Sequence, residues 1–437
     1  MYYFNFVVSV GTMAKISVSV ILATCAVICT GLPVSKDLPV LKQTPKEVLF
    51  RVSETHEPFL LECVVVGNTK GVKYTWQKNA KTLSLDDAEV VQRHDEGSLV
   101  FLKPSSNDAG QYQCFATTEL GTATTGVINV KQAYIKAQTP GLQKVKPVEA
   151  KPFKLDCPIP DSYPKPEISW RYQAVNDPEI SNEVMDPRIT ISPEGTLYIT
   201  SIDKKDANKN FKYVCMAKSP ATPRDVVLAE YIIEEVLPNK SKDSDVSELY
   251  TSKDMTVRFG DRTYLYCIFG GIPQAHPDWF KDGVDVNGSP QDRITRYNRS
   301  KGKRLLIRET WLTDSGIYKC VANNEVGKPK EHSMKLTVVA APHAQNMPSA
   351  SAGVEPGKDI TIPCQSTGLP APKLTWTYNA QPLQASERMI INYSTKGNLT
   401  VADLTIKGAK TTDKGYYGCK ADNEYGNLYG ETVLNVA

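Results

Sequence analysis

The residues with the clearest chemical potential are cysteines. Ten occur in 437 residues, and eight remain once Cys25 and Cys29 of an N-terminal apolar segment are set aside. The eight fall into four consecutive pairs, with separations of 51, 58, 53 and 55 residues. The pairs are Cys63 and Cys114, Cys157 and Cys215, Cys267 and Cys320, and Cys364 and Cys419. Such regular spacing is typical of structural disulfides in an oxidising compartment, and it argues against a thiol nucleophile.

The second group of residues with chemical potential is a basic run over residues 291–308. It contains seven lysines and arginines but one acid, Asp292. Arginine holds phosphate or sulfate by bidentate hydrogen bonds and lysine holds it as a compact charge, so lipid A phosphates or heparin-like polyanions would fit. The predicted polyanion ligands are Arg296, Arg299, Lys301, Lys303 and Arg304, whereas Arg293 is expected to be structural. The alternative is a solvated hairpin, and the same holds for a weaker patch at Lys204, Lys205, Lys209 and Lys212.

Other chemistry has little support. The five histidines show no metal-ligand spacing on one element, and no nucleophile elbow, P-loop or dinucleotide-binding glycine motif occurs. We therefore predict a protein that is not an enzyme and has no metal or cofactor. The net charge is only +3, from 51 basic and 48 acidic residues, which disfavours a nucleic-acid partner.

Five Asn-x-Ser/Thr sequons are predicted glycosylation sites in a secreted chain. They are Asn239, Asn287, Asn298, Asn392 and Asn398. Asn287 is the poorest because Pro290 follows its serine, and Asn398 precedes a predicted strand that could block it. A glycan on Asn298 would partly shield the basic run, so these two predictions compete.

The elements that must position these residues follow from the surroundings of each cysteine pair. A tryptophan stands 12 or 13 residues after every first cysteine (Cys63 to Trp76 is 13), and a tyrosine stands two places before every second one. Residues two apart on a strand share a face, so Tyr112 and Cys114 would both point inward. A disulfide within a pair would then join strands of opposing sheets, with the tryptophan packed against it. An all-β chain of four repeated units is expected.

Each unit resembles an immunoglobulin domain, and specifically the intermediate set found in cell-adhesion molecules. The motif Asp-x-Gly-x-Tyr-x-Cys is complete at residues 108–114, 314–320 and 413–419. The second unit departs from it, because residues 206–215 carry extra positions and no glycine. Four concordant Cys–Trp–Tyr–Cys sets make this resemblance specific, and it covers nearly the whole chain after the N-terminal segment.

The resemblance implies one disulfide inside each unit: Cys63–Cys114, Cys157–Cys215, Cys267–Cys320 and Cys364–Cys419. It implies that each tyrosine hydroxyl bonds to backbone at a strand corner. It also implies an ion pair between the motif aspartate and an arginine ahead of strand E, the strand expected at residues 99–101, 197–199, 305–307 and 404–406. Those pairs would be Arg93 with Asp108, Arg188 with Asp206, Arg293 with Asp314 and Arg388 with Asp413. The extra residues of the second unit put the Arg188–Asp206 pair in doubt.

The chain divides into six predicted segments. Lys15 precedes an apolar run of 13 residues, shorter than the roughly 20 that span a bilayer, which is typical of a cleaved signal peptide. The alternative is an uncleaved anchor. The segments are a signal peptide over 1–31, immunoglobulin-like domains over 36–131, 132–236, 249–340 and 341–437, and a linker over 237–248.

The linker bears on the shape. The gap between the second and third cysteine pairs is 52 residues (Cys215 to Cys267), against 43 and 44 for the other two gaps. The excess is polar and without apolar periodicity, which indicates an exposed connection. We expect two end-to-end domain pairs folded back on each other as a horseshoe. An extended flexible rod is the alternative.

The whole mature chain also resembles secreted four-domain immunoglobulin-superfamily proteins of insect innate immunity. That resemblance implies an extracellular haemolymph protein that binds bacterial lipopolysaccharide and lipoteichoic acid, associates with haemocytes and makes homophilic contacts with itself. Exposed edge strands provide a mechanism for self-contact, although the sequence does not show which edge. The alternatives are a soluble adhesion or guidance molecule without a microbial ligand, and a passive extracellular spacer.

Overall fold

The protein consists of four two-layered β-sandwiches in a computed structural model that describes residues 38–55, 57–85, 89–241, 243–289, 291–297 and 300–437. The predicted signal peptide over 1–31 lies outside the described residues. We number the sandwiches as domains 1 to 4 and the strands β1 to β38. One 3-10 turn in each domain ends on the motif aspartate: Ser106–Asp108, Lys204–Asp206, Leu312–Asp314 and Thr411–Asp413.

Domain 1 packs a sheet in the order β2-β11-β9-β5-β6, with β10 also on β9, against the sheet β3-β8-β7. The strands are β1 (Val40–Leu41), β2 (Glu47–Arg51), β3 (Phe59–Leu61), β4 (Val65–Val66), β5 (Lys73–Lys78), β6 (Lys81–Thr82), β7 (Val90–Gln92), β8 (Leu99–Phe101), β9 (Gly110–Thr118), β10 (Gly121–Thr124) and β11 (Ile128–Ile135). Along β9 the buried residues alternate, and Tyr112, Cys114 and Ala116 face the core as a period of two requires.

Domain 2 repeats this plan with β12-β20-β19-β15-β16 facing β13-β18-β17. Its strands are β12 (Leu142–Val145), β13 (Phe153–Leu155), β14 (Ser162–Tyr163), β15 (Glu167–Ala174), β16 (Ser181–Glu183), β17 (Ile189–Ile191), β18 (Leu197–Ile199), β19 (Phe211–Lys218) and β20 (Val226–Ile233). β14 pairs with the end of β11, where Tyr134 lies opposite Tyr163, and so ties domain 1 to domain 2.

Domain 3 packs β22-β29-β28-β24-β25 against β21-β23-β27-β26. Its strands are β21 (Ser244–Thr251), β22 (Met255–Arg258), β23 (Thr263–Ile272), β24 (Asp278–Lys281), β25 (Val284–Asp285), β26 (Ile294–Arg296), β27 (Arg304–Ile307), β28 (Gly316–Ala322) and β29 (Lys330–Asn346). β21 begins inside the predicted linker, and Val246 is buried in the domain 3 core. Residues 244–248 therefore belong to a sheet rather than to a free connection.

Domain 4 packs β30-β38-β37-β33-β34 against a sheet of β31, β32, β35 and β36. The strands are β30 (Ser351–Val354), β31 (Ile360–Ile362), β32 (Gln365–Leu369), β33 (Lys373–Tyr378), β34 (Gln381–Pro382), β35 (Met389–Lys396), β36 (Leu399–Ile406), β37 (Gly415–Asn423) and β38 (Gly426–Val436). The second half of β29 pairs with β32, while its first half pairs with β28. One strand thus runs without a break from domain 3 into domain 4.

Each core is built around a disulfide and a tryptophan. The four disulfides join Cys63–Cys114, Cys157–Cys215, Cys267–Cys320 and Cys364–Cys419, each within its own domain. The tryptophans are buried, and their indole N–H groups donate to backbone carbonyls at 2.6–2.8 Å. The donor and acceptor pairs are Trp76 and Gly97, Trp170 and Gly195, Trp279 and Gly302, and Trp376 and Ala402.

The tyrosine corner is present in three domains. The hydroxyls of Tyr112, Tyr318 and Tyr417 donate to the carbonyls of the motif aspartates at 2.9–3.0 Å. In domain 2, Tyr213 makes no such bond among the described residues. Seven residues separate it from Asp206, against four from Asp108 to Tyr112, so the corner geometry is not repeated.

The arginine–aspartate pair is also present in three domains. Within the described residues the exception here is domain 1, whereas the tyrosine corner is missing from domain 2. Arg188 binds both carboxylate oxygens of Asp206 at 2.8 Å, which removes the doubt about domain 2. The other two pairs are Arg293–Asp314 and Arg388–Asp413. The predicted Arg93–Asp108 pair is wrong, because Arg93 bonds to Glu96 at 3.4 Å and Asp108 accepts from Ser105.

Strand register explains this error. Strand E corresponds to β18, β27 and the end of β36 in domains 2, 3 and 4. In these domains, the residue that lies opposite the last position of strand E comes directly after the paired arginine. In domain 2, for example, Ile189 lies opposite Ile199 and follows Arg188. In domain 1 the residue opposite Phe101 is Val90, so the equivalent position is Glu89. Loops of unequal length follow that position, and spacing along the sequence therefore selects the wrong arginine.

The four domains form a closed horseshoe. Domain 1 packs on domain 4 through a small apolar cluster of Val65, Ala116, Ala123, Tyr416 and Val433. Domain 2 packs on domain 3, where the Tyr250 hydroxyl donates to Glu194 at 2.8 Å and the Tyr198 and Tyr250 rings lie 6.0 Å apart. The predicted fold class, four immunoglobulin-like sandwiches bent into a horseshoe, is confirmed.

Candidate functional site

The predicted polyanion residues lie on the hairpin of β26 and β27 in domain 3. Its turn bends sharply at Lys301 and Gly302, whose φ angles are 52° and 80°. Two predicted residues in this turn, Arg299 and the sequon Asn298, lie outside the described residues. The other four predicted ligands occupy very different environments.

Lys303 is not an anion ligand, and its assignment is corrected. Its side chain has 0% exposure, and its ammonium group donates to the carbonyls of Ser300 at 3.0 Å and of Pro187 in domain 2 at 2.6 Å. Burial lowers the pKa of Lys303 to about 7. The amine therefore serves the contact between domains 2 and 3 as a hydrogen-bond donor, and it is not open to a ligand.

Arg304 is held between two aromatic rings. Its guanidinium carbon lies 4.5 Å from the ring centre of Tyr297 and 5.2 Å from that of Tyr264. Such cation–π contacts are worth about 0.5–2 kcal/mol. The side chain is half-buried, and its Nε atom has no hydrogen-bond partner among the described residues. Arg304 consequently supports the hairpin more directly than it presents a charge.

Among the described predicted ligands, Lys301 and Arg296 are the accessible ones. Lys301 is exposed. The Arg296 guanidinium pairs with Asp278 Oδ1 at 2.6 Å, and the Arg296 side chain has 36% exposure. Partial burial and the positive charges of Lys301, Lys303 and Arg296 lower the pKa of nearby His276. Lys301 therefore offers an open positive charge on this loop, whereas the charge of Arg296 is paired with Asp278.

The weaker basic patch of domain 2 is divided. Lys204, Lys205 and Lys209 are exposed, whereas Lys212 is half-buried and paired with Glu230 at 2.5 Å. Lys204 and Lys205 also have acidic neighbours, Glu149 at 3.8 Å and Asp203 at 4.0 Å. This surface is thus largely neutralised by local ion pairs.

The described sequons differ in access. Asn392 on β35 and Asn398 at the turn before β36 are exposed, and Asn239 is half-buried. Asn287 is occupied by internal bonds: its Oδ1 accepts from the Trp279 amide at 2.9 Å and its Nδ2 donates to Asp285 at 3.0 Å. Asn392 Nδ2 also donates to Thr405 Oγ1 at 3.1 Å, but it does so on an exposed strand face, whereas Asn287 is bonded through both of its side-chain polar atoms.

One edge strand stands open to a partner. β35 is eight residues long and pairs with β36 along one side, with no strand on its other side among the described residues. Residues 392–396 are all exposed, and Tyr393 has 56% exposure. The eight-residue edge strand β21, by contrast, places Tyr250 against domain 2.

Sequence reasoning missed the polar contacts between domains 1 and 4, which we call the seam. Glu431 accepts from the Thr124 amide with both oxygens at 3.2 Å and from the Tyr429 hydroxyl at 2.7 Å. Burial raises the pKa of Glu431 to about 8. Nothing local marks this carboxyl, since its burial depends on a domain some 300 residues away in the sequence.

The seam also requires a close backbone approach. A Cβ on Gly121 would come within 2.1 Å of Asn379 Oδ1 in domain 4, and the φ of Gly121 is 139°. Asn379 Oδ1 itself accepts from the Tyr416 amide at 3.0 Å. Gly121 is therefore a position where a side chain would separate the two domains.

Within the described ranges, no cluster of three or more His, Cys, Asp and Glu side chains is arranged to hold a metal ion. The same residues contain no helix with the length and apolar character needed to cross a bilayer.

The chain is similar to known proteins with immunoglobulin domains. Residues 249–338 and 342–436 match the immunoglobulin I-set domain, and residues 39–118 match an immunoglobulin domain. Hemolin of Manduca sexta is 47% identical over 96% of this chain and 98% of its own length, and hemolin of Hyalophora cecropia is 46% identical over 95% and 98%.

The four-domain arrangement of this chain is similar to that of a solved structure. It is a crystal structure of the insect immune protein hemolin, described as a new domain arrangement with implications for homophilic adhesion. The TM-score is 0.85 at 46% identity, covering 91% of this chain and all of that one. The chain therefore belongs to the hemolin family of immunoglobulin-superfamily adhesion and immune proteins, and it is a binding protein rather than an enzyme.

Proposed function

We propose that the protein is a secreted haemolymph protein of innate immunity that binds bacterial lipopolysaccharide and lipoteichoic acid, attaches to haemocytes and makes homophilic contacts. The observation that supports the microbial part is the exposed ammonium group of Lys301 beside the Arg296 guanidinium, whose side chain has 36% exposure. Both proposed bacterial ligands present phosphate groups, which arginine and lysine bind by charge-assisted hydrogen bonds.

The proposed anion site is narrower than the basic run. It keeps Lys301 and Arg296 and the neighbouring Arg299, while Lys303 and Arg304 act as structural supports. Heparin-like polyanions share this sulfate or phosphate chemistry and would compete at the same place. Because Lys301 is exposed, its contribution to binding should fall as salt screens the charges.

A salt titration tests the anion site. Binding of the full chain to immobilised lipopolysaccharide should weaken from 50 to about 500 mM NaCl, since the contacts are ionic. The double variant Lys301→Glu, Arg299→Glu should bind at least about 10-fold more weakly, because the loss of even one charged hydrogen bond costs about 1.5–3 kcal/mol. Lys358→Glu, at an exposed lysine of domain 4, is the matched control. Equal affinity of the double variant and the control would refute the site.

The homophilic part is supported by the open edge of β35. A free strand offers unpaired N–H and C=O groups to a second copy, which could extend the sheet. Thr395→Lys, which places a charge on this edge, should therefore reduce self-association measured by sedimentation velocity. Thr256→Lys on the exposed face of β22 is the control. Self-association that survives Thr395→Lys would mean that another surface makes the contact.

These measurements also separate the other candidates. A soluble adhesion or guidance molecule would self-associate or bind haemocytes but ignore lipopolysaccharide and lipoteichoic acid. A passive spacer would do none of these. Labelled protein added to haemocytes, with and without the Thr395→Lys change, shows whether cell attachment uses the homophilic edge.

A further inference from the structure

The junction between domains 3 and 4 contains a cleft of about 520 Å³. We call it the elbow cleft. Its volume falls within the range of about 300–1,000 Å³ that small-ligand sites occupy. The wall from domain 3 includes Arg258, Phe259 and Asp261, and the wall from domain 4 includes Pro342, His343 and Asn398.

The side chains of the elbow cleft suit a sugar. Phe259 has 53% exposure, unusual for a large apolar ring, and presents a face on which the C–H groups of a pyranose can stack. Arg258, Asp261 and His343 are exposed beside it and can exchange hydrogen bonds with hydroxyl groups. An aromatic platform with a few polar groups around it is the general pattern of a small-ligand site.

The aromatic ring is held on a fixed turn. The Phe259 amide donates to Val339 O at 2.7 Å, and the amide of Gly260 donates to Thr310 O at 2.8 Å. Val339 belongs to β29, the strand shared by both domains. The ring therefore keeps its position relative to the wall formed by domain 4, and a bound sugar would meet a preformed surface.

The occupant is suggested by Asn398. This residue is exposed, lines the elbow cleft and opens the sequon Asn398-Leu399-Thr400. Its carbonyl accepts from the Gly368 amide at 2.9 Å, which fixes the turn that carries it. A glycan attached here would start inside the cleft, and a tethered group reaches a very high local concentration without any strong contact of its own.

We propose that the first sugars of an N-glycan on Asn398 occupy the elbow cleft, stack on Phe259 and brace domain 4 against domain 3. The proposal rests on secretion, which is part of the proposed function. Asn392 provides an internal comparison, because it lies on the open edge of β35 and outside the residues that line the cleft.

The test uses the full chain secreted from insect cells. Mass spectrometry of peptides establishes the occupancy of Asn392 and Asn398. The native protein is then treated with a peptide N-glycosidase, and release is followed at each site. We expect release from Asn398 to be about 10-fold slower than from Asn392, as a stacking contact of roughly 1.4 kcal/mol would produce. After denaturation the two rates should be equal.

Variants of Phe259 test whether stacking on its ring causes the slow release of the glycan at Asn398. Phe259→Ala should bring native release at Asn398 to the rate at Asn392, whereas Phe259→Trp should keep the protection. An empty Asn398 beside an occupied Asn392, equal native rates, or protection that survives Phe259→Ala would each overturn the proposal. A chain without any glycan would overturn it too. Lipopolysaccharide binding of the same preparation reports on the proposed function separately.

Discussion

Lys303 shows how a residue that looks like a ligand can be a structural part. Its amine is fully buried and donates to carbonyls of domains 2 and 3, so it links the two arms of the horseshoe at the bend. A buried amine that loses its proton more easily makes stability depend on pH. The native pKa is about 7, against about 10.5 when the side chain is free.

This pKa shift predicts a pH slope. Between pH 7 and 10 the unfolded chain keeps a proton on Lys303 that the native protein tends to release, so the contribution of Lys303 to stability should rise with pH. The upper limit is about 1.4 kcal/mol per pH unit. Denaturant unfolding at pH 7 and pH 9 should show a smaller rise for Lys303→Met than for the wild type. Lys358→Met, at an exposed lysine of domain 4 far from Lys303, should leave the slope unchanged. Identical slopes for all three proteins would contradict the prediction.

Individual residues also show which contacts can be predicted from the sequence and which cannot. The disulfides, the core tryptophans and three tyrosine corners depend on spacing within one domain, so the repeat is sufficient to predict them. Lys303 and Glu431 are different because another domain buries them. No local pattern separates Lys303 from Lys301, two positions away in the same run.

Among the elements, the β7–β8 hairpin of domain 1 departs from its three counterparts. Register places Glu89 where the others have arginine, and Lys103 is its ion-pair neighbour at 3.7 Å. Domain 1 thus lacks the arginine that elsewhere ties the hairpin to the motif aspartate. The strands were predictable from alternation, whereas this register was not, because loops of different length separate the arginines from strand E.

A substitution can supply the missing pair. Glu89→Arg should place a guanidinium near Asp108, as Arg188 lies near Asp206, and should stabilise domain 1 by about 1 kcal/mol. Thermal unfolding measures this gain. Arg93→Gln should have little effect, since Arg93 is exposed and weakly paired. A loss of stability on Glu89→Arg would show that the two hairpins are not equivalent.

For the molecule as a whole, the seam decides whether the horseshoe stays closed. Linker length was enough to favour a horseshoe over a rod, but it did not identify the seam residues. Glu431 is buried there beside the Thr124 amide, and its pKa is about 8 in the closed form. When domain 1 moves away and water enters, that pKa should return toward the ordinary 4.5.

Closure should consequently weaken as pH rises. The closed form holds a proton that the open form releases between pH 4.5 and 8, so the preference for closure is complete below that window and falls by at most about 1.4 kcal/mol per unit through it. Hydrogen exchange in β10, corrected for the intrinsic rate, should show stronger protection at pH 6 than at pH 8. Glu431→Gln should remove this dependence, and amides of β19 serve as the control. Protection in β10 that is independent of pH in the wild type would refute the role of Glu431.

The strand that domains 3 and 4 share has a mechanical consequence. Because β29 is hydrogen-bonded to β28 at one end and to β32 at the other, twisting one domain against the other must shear ladder bonds in both sheets. That half of the molecule should behave as a single stiff lever. When the seam is open, bending should then occur between domains 2 and 3 rather than between domains 3 and 4, and a pull on domain 4 should move domains 3 and 4 together.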